Sequence, residues 1–305
     1  MITVEQRLKM LQPPTGHFDM VLDTDAYNEV DDQYAISYTL RSGEKVTLKA
    51  LYAAPFYNDK SSGPADGMER SYREILTLLR LAKSDVPTYR GSEAYLTDEK
   101  TPVISDAAQD LAQRAMEYSS EQPLYVAAIG AITNIASAIL INPEIVDRIV
   151  VVWIGGHALD WPNNYEFNCY QDVAAVRAVF GSGCPLVMVP GMGVTSALTT
   201  TKQELTYYLK GKNELCDYLL NYTVRDTEKT AAGKAWSRPI WDLGSLAWLL
   251  SGGREHPLMF DRLISTPIPE YDHVWARDNS RCLCKYVYHI CRDELFTDVF
   301  DHLAR

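Results

Sequence analysis

Val21-Leu22-Asp23-Thr24-Asp25-Ala26-Tyr27-Asn28-Glu29-Val30-Asp31-Asp32 sets four aspartates within ten residues, directly behind the largely apolar run Phe18 to Leu22. That run reads as a buried strand, and the residues from Asp32 onward (Gln33-Tyr34-Ala35-Ile36-Ser37-Tyr38-Thr39-Leu40) read as the helix that follows. The carboxylates therefore gather at the carboxyl end of a strand, where open α/β sheets form their ligand crevice. Four like charges so close together repel, and a fold must offset them. A hard divalent cation with oxygen ligands does so most simply. A solvated acidic loop is the ordinary alternative, weakened by the apolar strand in front and the apolar-patterned helix behind. An EF-hand is excluded, because the loop lacks a glycine at its sixth position and has Tyr34 where a bidentate glutamate belongs.

Outward from this loop, strand-like and helix-like segments alternate. Val46–Ala53, Leu124–Ile129, Ile149–Ile154 and Pro185–Pro190 read as further strands; the two middle ones are continuous apolar runs suited to burial on both faces of a parallel sheet. Helices are expected over Met68–Ala82, Ala131–Ile141, Leu205–Thr227 and Asp242–Leu250, with Asn58 to Gly67 a loop rich in Gly, Pro and Ser. This order argues for one α/β domain over residues 1–305, a mainly parallel central sheet flanked by helices.

Composition narrows the function. A net charge of −11 argues against nucleic acid or an anionic membrane as partner. No run approaches the roughly 18 apolar residues needed to span a bilayer, and Met1 to Arg7 lack the apolar core of a signal peptide. The six cysteines form no framework. Cys282 and Cys284 share a face of a likely strand, but no matching Cys/His pair completes a zinc site. The expectation is a cytosolic protein with reduced thiols.

Two more constellations carry chemistry. Gly155-Gly156-His157-Ala158-Leu159-Asp160-Trp161-Pro162-Asn163-Asn164-Tyr165-Glu166-Phe167-Asn168 follows a buried strand and should open onto the same crevice. Asn163, Asn164, Glu166 and Asn168 offer the donors and acceptors that a hydroxyl-rich ligand needs, although ordinary turn chemistry also uses Asn and Gly. In Arg238-Pro239-Ile240-Trp241-Asp242-Leu243-Gly244, a lone Asp before a helix is most often an N-cap, and Trp241 beside it a core aromatic. Those readings weaken only if Asp242 reaches the aspartate cluster.

Taken together these pieces resemble the inosine–uridine-preferring nucleoside hydrolase family. The resemblance rests on the aspartate loop, a Gly-x-x-Thr-Asn turn (Gly130 to Asn134), Gly155-Gly156 followed by Glu166-Phe167-Asn168, and the late Asp242, all in the family's order between about residues 18 and 250. It implies a Rossmann-like core and a calcium ion held by Asp25, Asp32, Asp242 and the carbonyl of Ile129, with room for water and two ribose hydroxyls. It also implies Asp25 as general base, Asp31, Glu166 and Asn168 as ribose contacts with Asn163 or Asn164 as a third, and Asp23 as a residue that orients the loop. The implied substrate is a small ribonucleoside and the implied assembly a homo-oligomer, dimer or tetramer.

The chain departs from the family pattern in three places. Five residues, Ala26 to Val30, separate Asp25 from Asp31 where the family typically has three, and Glu29 becomes a rival ligand. The Gly-Asn element after the second strand is replaced by Ala53-Ala54-Pro55-Phe56-Tyr57-Asn58, leaving Asn58 as the substitute ribose contact; the loop before Glu166 is also short. Trp241 stands where inosine–uridine-type members carry the His that serves as acid to the leaving base. Purine-preferring members resemble this chain in having Trp-Asp there, so the expectation is a purine stacked on Trp241, with Trp236 or Trp161 as second face and His157 as a spare acid. Two other readings compete: a nucleoside or ribose binder without turnover, and a phosphatase with Asp23 as nucleophile and Asp25 as acid/base.

Overall fold

The computed structural model describes residues 2–305. Strand β1 (Phe18–Thr24) runs two residues beyond its apolar core, so Asp23 lies within the sheet rather than in the loop. It pairs in parallel with β2 (Val46–Ala53) on one side and β4 (Leu124–Ala128) on the other. Among the described residues the main sheet has eight strands. β3 (Thr88–Arg90), β2, β1, β4, β5 (Ile149–Ile154) and β6 (Leu186–Val189) follow in that spatial order, then Leu283–Ile290 and Met259–Ser265 at the far edge. Only Met259–Ser265 runs antiparallel within this sheet.

Period-two alternation divides the strand side chains between two cores. Met20, Leu22, Val150, Val152 and Ile154 face one apolar cluster, and Val21, Ile149, Val151 and Trp153 face the other. Both faces are thus covered, as the continuous apolar runs require. Chain order reverses its spatial direction between β1 and β4. That is the switch point at which doubly wound sheets open a crevice.

Three expectations need correction. The helix expected over Leu205–Thr227 is two helices, Lys202–Leu209 and Glu214–Ala231. Gly211 at φ +71° breaks the run, and Asn213 restarts it by accepting the Cys216 N–H at 2.9 Å. Helix Pro64–Ala82 begins four residues before Met68, at a proline suited to the first turn. Cys282 and Cys284 do not share a face: Cys284 is buried in its strand, while Cys282 precedes that strand and is exposed. Among the described residues no helix is long and apolar enough to cross a membrane.

Candidate active site

The loops leaving β1, β4, β5 and β6 surround a cavity of about 320 Å³ at the switch point. Asp25, Asn28, Glu29, Asp31 and Asp32 come from the first loop, Ile129 from the end of β4, and His157, Tyr165, Glu166, Phe167 and Asn168 from the segment after β5. Gly191 and Met192 follow β6, and Trp241 and Asp242 precede the helix Leu243–Leu250.

Asp242 decides whether this is a site or a set of turns. It occupies the N-cap position of its helix, yet its side chain makes no capping hydrogen bond. Instead an oxygen of Asp242 lies within 4.8 Å of oxygens from both Asp31 and Asp32, all three residues buried. Ligands about 2.4 Å from a shared calcium lie at most about 4.8 Å apart, so the three carboxylates fit one ion. Asp25 Oδ2 and Asp31 Oδ1 are buried without any hydrogen-bond partner, as expected of oxygens shaped for a cation.

Electrostatics agree. Burial, then repulsion from neighbouring carboxylates, raises Asp25, Asp32 and Asp242 well above the ordinary carboxylate range. Burial lifts Asp31 to about 7, with Glu29 adding repulsion and Arg238 opposing it. Arg238 is itself bonded to Glu29 at 2.8 Å, which engages the rival ligand at the cavity wall. The remaining repulsion is what a divalent cation would neutralise.

Asp31, Asp32 and Asp242 are the most tightly spaced set, and Asp25 lines the same cavity and adds its repulsion to both Asp32 and Asp242. The helix begins at Asp31, so Asp31 and Asp32 both lie in its first turn, beside Asp242. Asp25 sits near Gly130, where an added Cβ would come within 3.1 Å of its Oδ1. Ile129 also lines the cavity, and its carbonyl accepts from Asn168 Nδ2 at 3.3 Å.

Asn58, Glu166, Asn168 and Trp241 reach the cavity as expected; Asn163 and Asn164 do not line it. Asn163 Oδ1 accepts from the Tyr165 N–H in a local turn. Asn164 is buried, its Oδ1 accepting from the His157 N–H at 2.7 Å and its Nδ2 donating to Cys169 Sγ. Its polar atoms are spent inside the loop. Glu166 caps a short helix, accepting from the N–H groups of Gly156, Asn168 and Cys169. Gly156 sits at φ +72°, and a Cβ there would meet the Trp275 ring at 2.3 Å, so this close turn requires glycine. Trp236 and Trp161 do not line the cavity, although Trp161 packs against His157, which does.

The first loop is tied down through Asn134. Its Nδ2 donates to Asp23 Oδ1 at 2.7 Å and to the Ala53 carbonyl at 3.2 Å, while its Oδ1 accepts from the N–H and hydroxyl of Ser92. Asp23 is fully buried and lies outside the cavity, which removes the nucleophile that a phosphatase reading needs.

The sequence profile of the family described as "Inosine-uridine preferring nucleoside hydrolase" matches residues 20–269. The chain belongs to that family. A pyrimidine-specific ribonucleoside hydrolase, RihA from Salmonella arizonae, is 29% identical over 264 residues, 76% of this chain and 79% of that protein. Among solved structures, a purine-preferring ribonucleoside hydrolase from Gardnerella vaginalis superposes with a TM-score of 0.75 at 19% identity, covering 94% of this chain and 98% of that one. A plant nucleoside hydrolase, PpNRh1, gives 0.73 at 18%, covering 95% and 99%. This chain is therefore a hydrolase of N-glycosyl bonds acting on small nucleosides.

Within this nucleoside hydrolase, the residues missed by sequence reasoning are Asn28, Ile154, Tyr165, Phe167, Gly191 and Met192. Gly191 and Met192 follow a recognised strand, and the rule that ligands gather at strand carboxyl ends could have flagged them. Asn134→Ala is expected to lower stability by about 2–4 kcal/mol, because it strands the buried Asp23 carboxylate and the Ala53 carbonyl together. Urea unfolding checks this, and an unchanged midpoint would mean the bridge contributes nothing.

Proposed function

We propose that the chain is a calcium-dependent ribonucleoside hydrolase with a purine preference, splitting the N-glycosidic bond to free base and ribose. The observation that carries the reading is the convergence of Asp242 with Asp31 and Asp32 in a buried, mutually repelling group beside Asp25. When bound there, a divalent cation supplies charge neutralisation, polarises water and prefers oxygen ligands such as ribose hydroxyls.

The chain's own residues account for the remainder. Asp31, Asp32 and Asp242 would hold the cation, with Asp25 and the Ile129 carbonyl adjoining. Asp25, with an unpartnered Oδ2, takes a proton from the attacking water as general base. Glu166, Asn168 and Asn58 hold ribose. Both contacts of Asn168 Nδ2 go to the carbonyls of Ile129 and Ile154, which leaves its Oδ1 to accept from a hydroxyl. As the bond breaks, positive charge grows on the ribose ring. The acidic cavity stabilises that charge more than it does the neutral substrate.

A site that hydrogen-bonds both ribose hydroxyls discriminates strongly against a sugar lacking one, since buried polar groups are then unpaired. 2′-Deoxyinosine is expected to react at least about 10²-fold more slowly than inosine in kcat/KM. Equal rates would remove the ribose clamp.

The purine preference rests on Trp241, which lines the cavity and offers an indole but no acid. The pyrimidine-specific activity in the name of the RihA relative favours the opposite ranking. Ribose release from inosine, adenosine, guanosine, uridine and cytidine, with and without a calcium chelator, tests the whole reading. Ribose formed without phosphate and lost on chelation supports it. Faster cleavage of pyrimidine nucleosides would sink the stacking argument, and binding without turnover would favour a binding protein. A dimer or tetramer belongs to the same reading and is checked by light scattering.

A further inference from the structure

Breaking the C1′–N bond leaves the bonding electron pair on the base, so the base gathers negative charge while ribose gathers positive. The aspartates serve the ribose side only. Trp241 cannot act as an acid, because its indole N–H is a donor that does not give up its proton near neutrality.

His157 lines the cavity next to Gly191 and Met192, and it is held at three points. Its backbone N–H donates to Asn164 Oδ1 at 2.7 Å, and its carbonyl accepts from Trp275 Nε1 at 3.1 Å. Its ring Nδ1 accepts from the Met192 N–H at 3.3 Å. A neutral imidazole with Nδ1 as acceptor carries its proton on Nε2. Partial burial also disfavours the charged ring. Nε2 has no hydrogen-bond partner among the described residues, so its N–H is free for a ligand. The edge of Trp161, with ring centroids 6.0 Å apart, packs beside the imidazole.

We propose that His157 is the base-side catalytic residue. Its neutral Nε2–H hydrogen-bonds to an acceptor atom of the departing base, and Asn164, Trp275 and Met192 position it. The assignment rests on the hydrolase reading above. In the reaction, the water oxygen forms the new C1′–O bond and gives a proton to Asp25. The C1′–N electron pair goes to the base, which takes its proton from solvent after leaving. His157 keeps its own proton throughout, acting as an electrophile that stabilises charge rather than as an acid. Asn164 thereby acquires a part in the chemistry without touching ribose.

The test compares His157→Phe and His157→Gln on inosine and on 4-nitrophenyl β-D-ribofuranoside, whose leaving group stabilises its own negative charge. His157→Phe is expected to cut kcat/KM for inosine roughly 10²-fold, the usual loss for one preorganised donor, and to leave the nitrophenyl riboside within about threefold. His157→Gln, whose side-chain amide can present an N–H near the place of Nε2, is expected to recover about tenfold on inosine. Equal losses on both substrates, or no loss on inosine, would overturn the assignment while leaving the hydrolase reading intact. A native protein inactive on both substrates with calcium present would overturn the hydrolase reading, and this assignment with it.

Discussion

Asp242→Asn is expected to lower kcat/KM for nucleoside hydrolysis by at least about 10³-fold while preserving the fold. That loss corresponds to about 4 kcal/mol of transition-state stabilisation. The fold survives because Asp242 contributes no capping hydrogen bond to its helix, so an isosteric amide removes nothing that holds the backbone. The cation site does not survive, because Asp242 is one of three buried carboxylates whose oxygens lie within 4.8 Å of each other. The same substitution should raise the stability of the calcium-free protein, since it deletes one charge from a cluster in which Asp25, Asp31 and Asp32 all repel it. Kinetics with calcium and thermal unfolding in chelator read the two effects separately. A native rate would take Asp242 out of the site. A calcium-free protein made less stable would show that Asp242 serves the fold.

Without a divalent cation, stability is expected to fall by several kcal/mol as the pH rises from about 4 to above about 7. Asp23 and Asp31 are raised to about 7 in the folded protein, chiefly by burial, and Asp25, Asp32 and Asp242 are raised as well. Between the ordinary carboxylate value and these raised values, the folded state binds more protons than the unfolded state. Each pH step upward therefore favours unfolding, and the penalty is complete above the folded-state values. Calcium should reverse the trend for its ligands, because it binds them deprotonated and only in the folded arrangement. Asp23, held by Asn134 and outside the cavity, keeps its own contribution in either condition. Urea unfolding at about pH 5 and about pH 8, in chelator and in calcium, measures this directly. Stability independent of pH in chelator would mean that the cluster is relieved by some means other than a cation.

Much of this architecture was legible beforehand. Apolar runs such as Ile149–Ile154 match their strand to the residue, and Val46–Ala53 does the same. The helix break at Gly211 is masked in the sequence, although Gly211 and Asn213 carry the signals for it, because the apolar periodicity continues across the break. Among site residues, Glu166, Asn168, Asn58, Trp241, Asp25, Asp31, Asp32 and Asp242 all reach one cavity, whereas Asn163 and Asn164 turn away. Residue type does not separate these outcomes, because an asparagine can bond a ligand or its own loop equally well.

The alternation of strands and helices, the burial of the sheet on both faces, and the crowding of acid at a strand's carboxyl end are all written in local residue patterns. These follow from local periodicity and from the cost of unpaired buried charge. Which distant carboxylate meets the crowded acids depends on the packed chain. Asp242 joins Asp31 and Asp32 because the helix starts at Asp31 and the sheet order brings a distant helix terminus beside it. Likewise only the packed loops turned His157 into a fixed donor, through an acceptor in Asn164 and a backbone N–H of Met192 that are remote or unremarkable in sequence. Such convergence depends on the path of the chain between elements, which no local pattern of residues encodes.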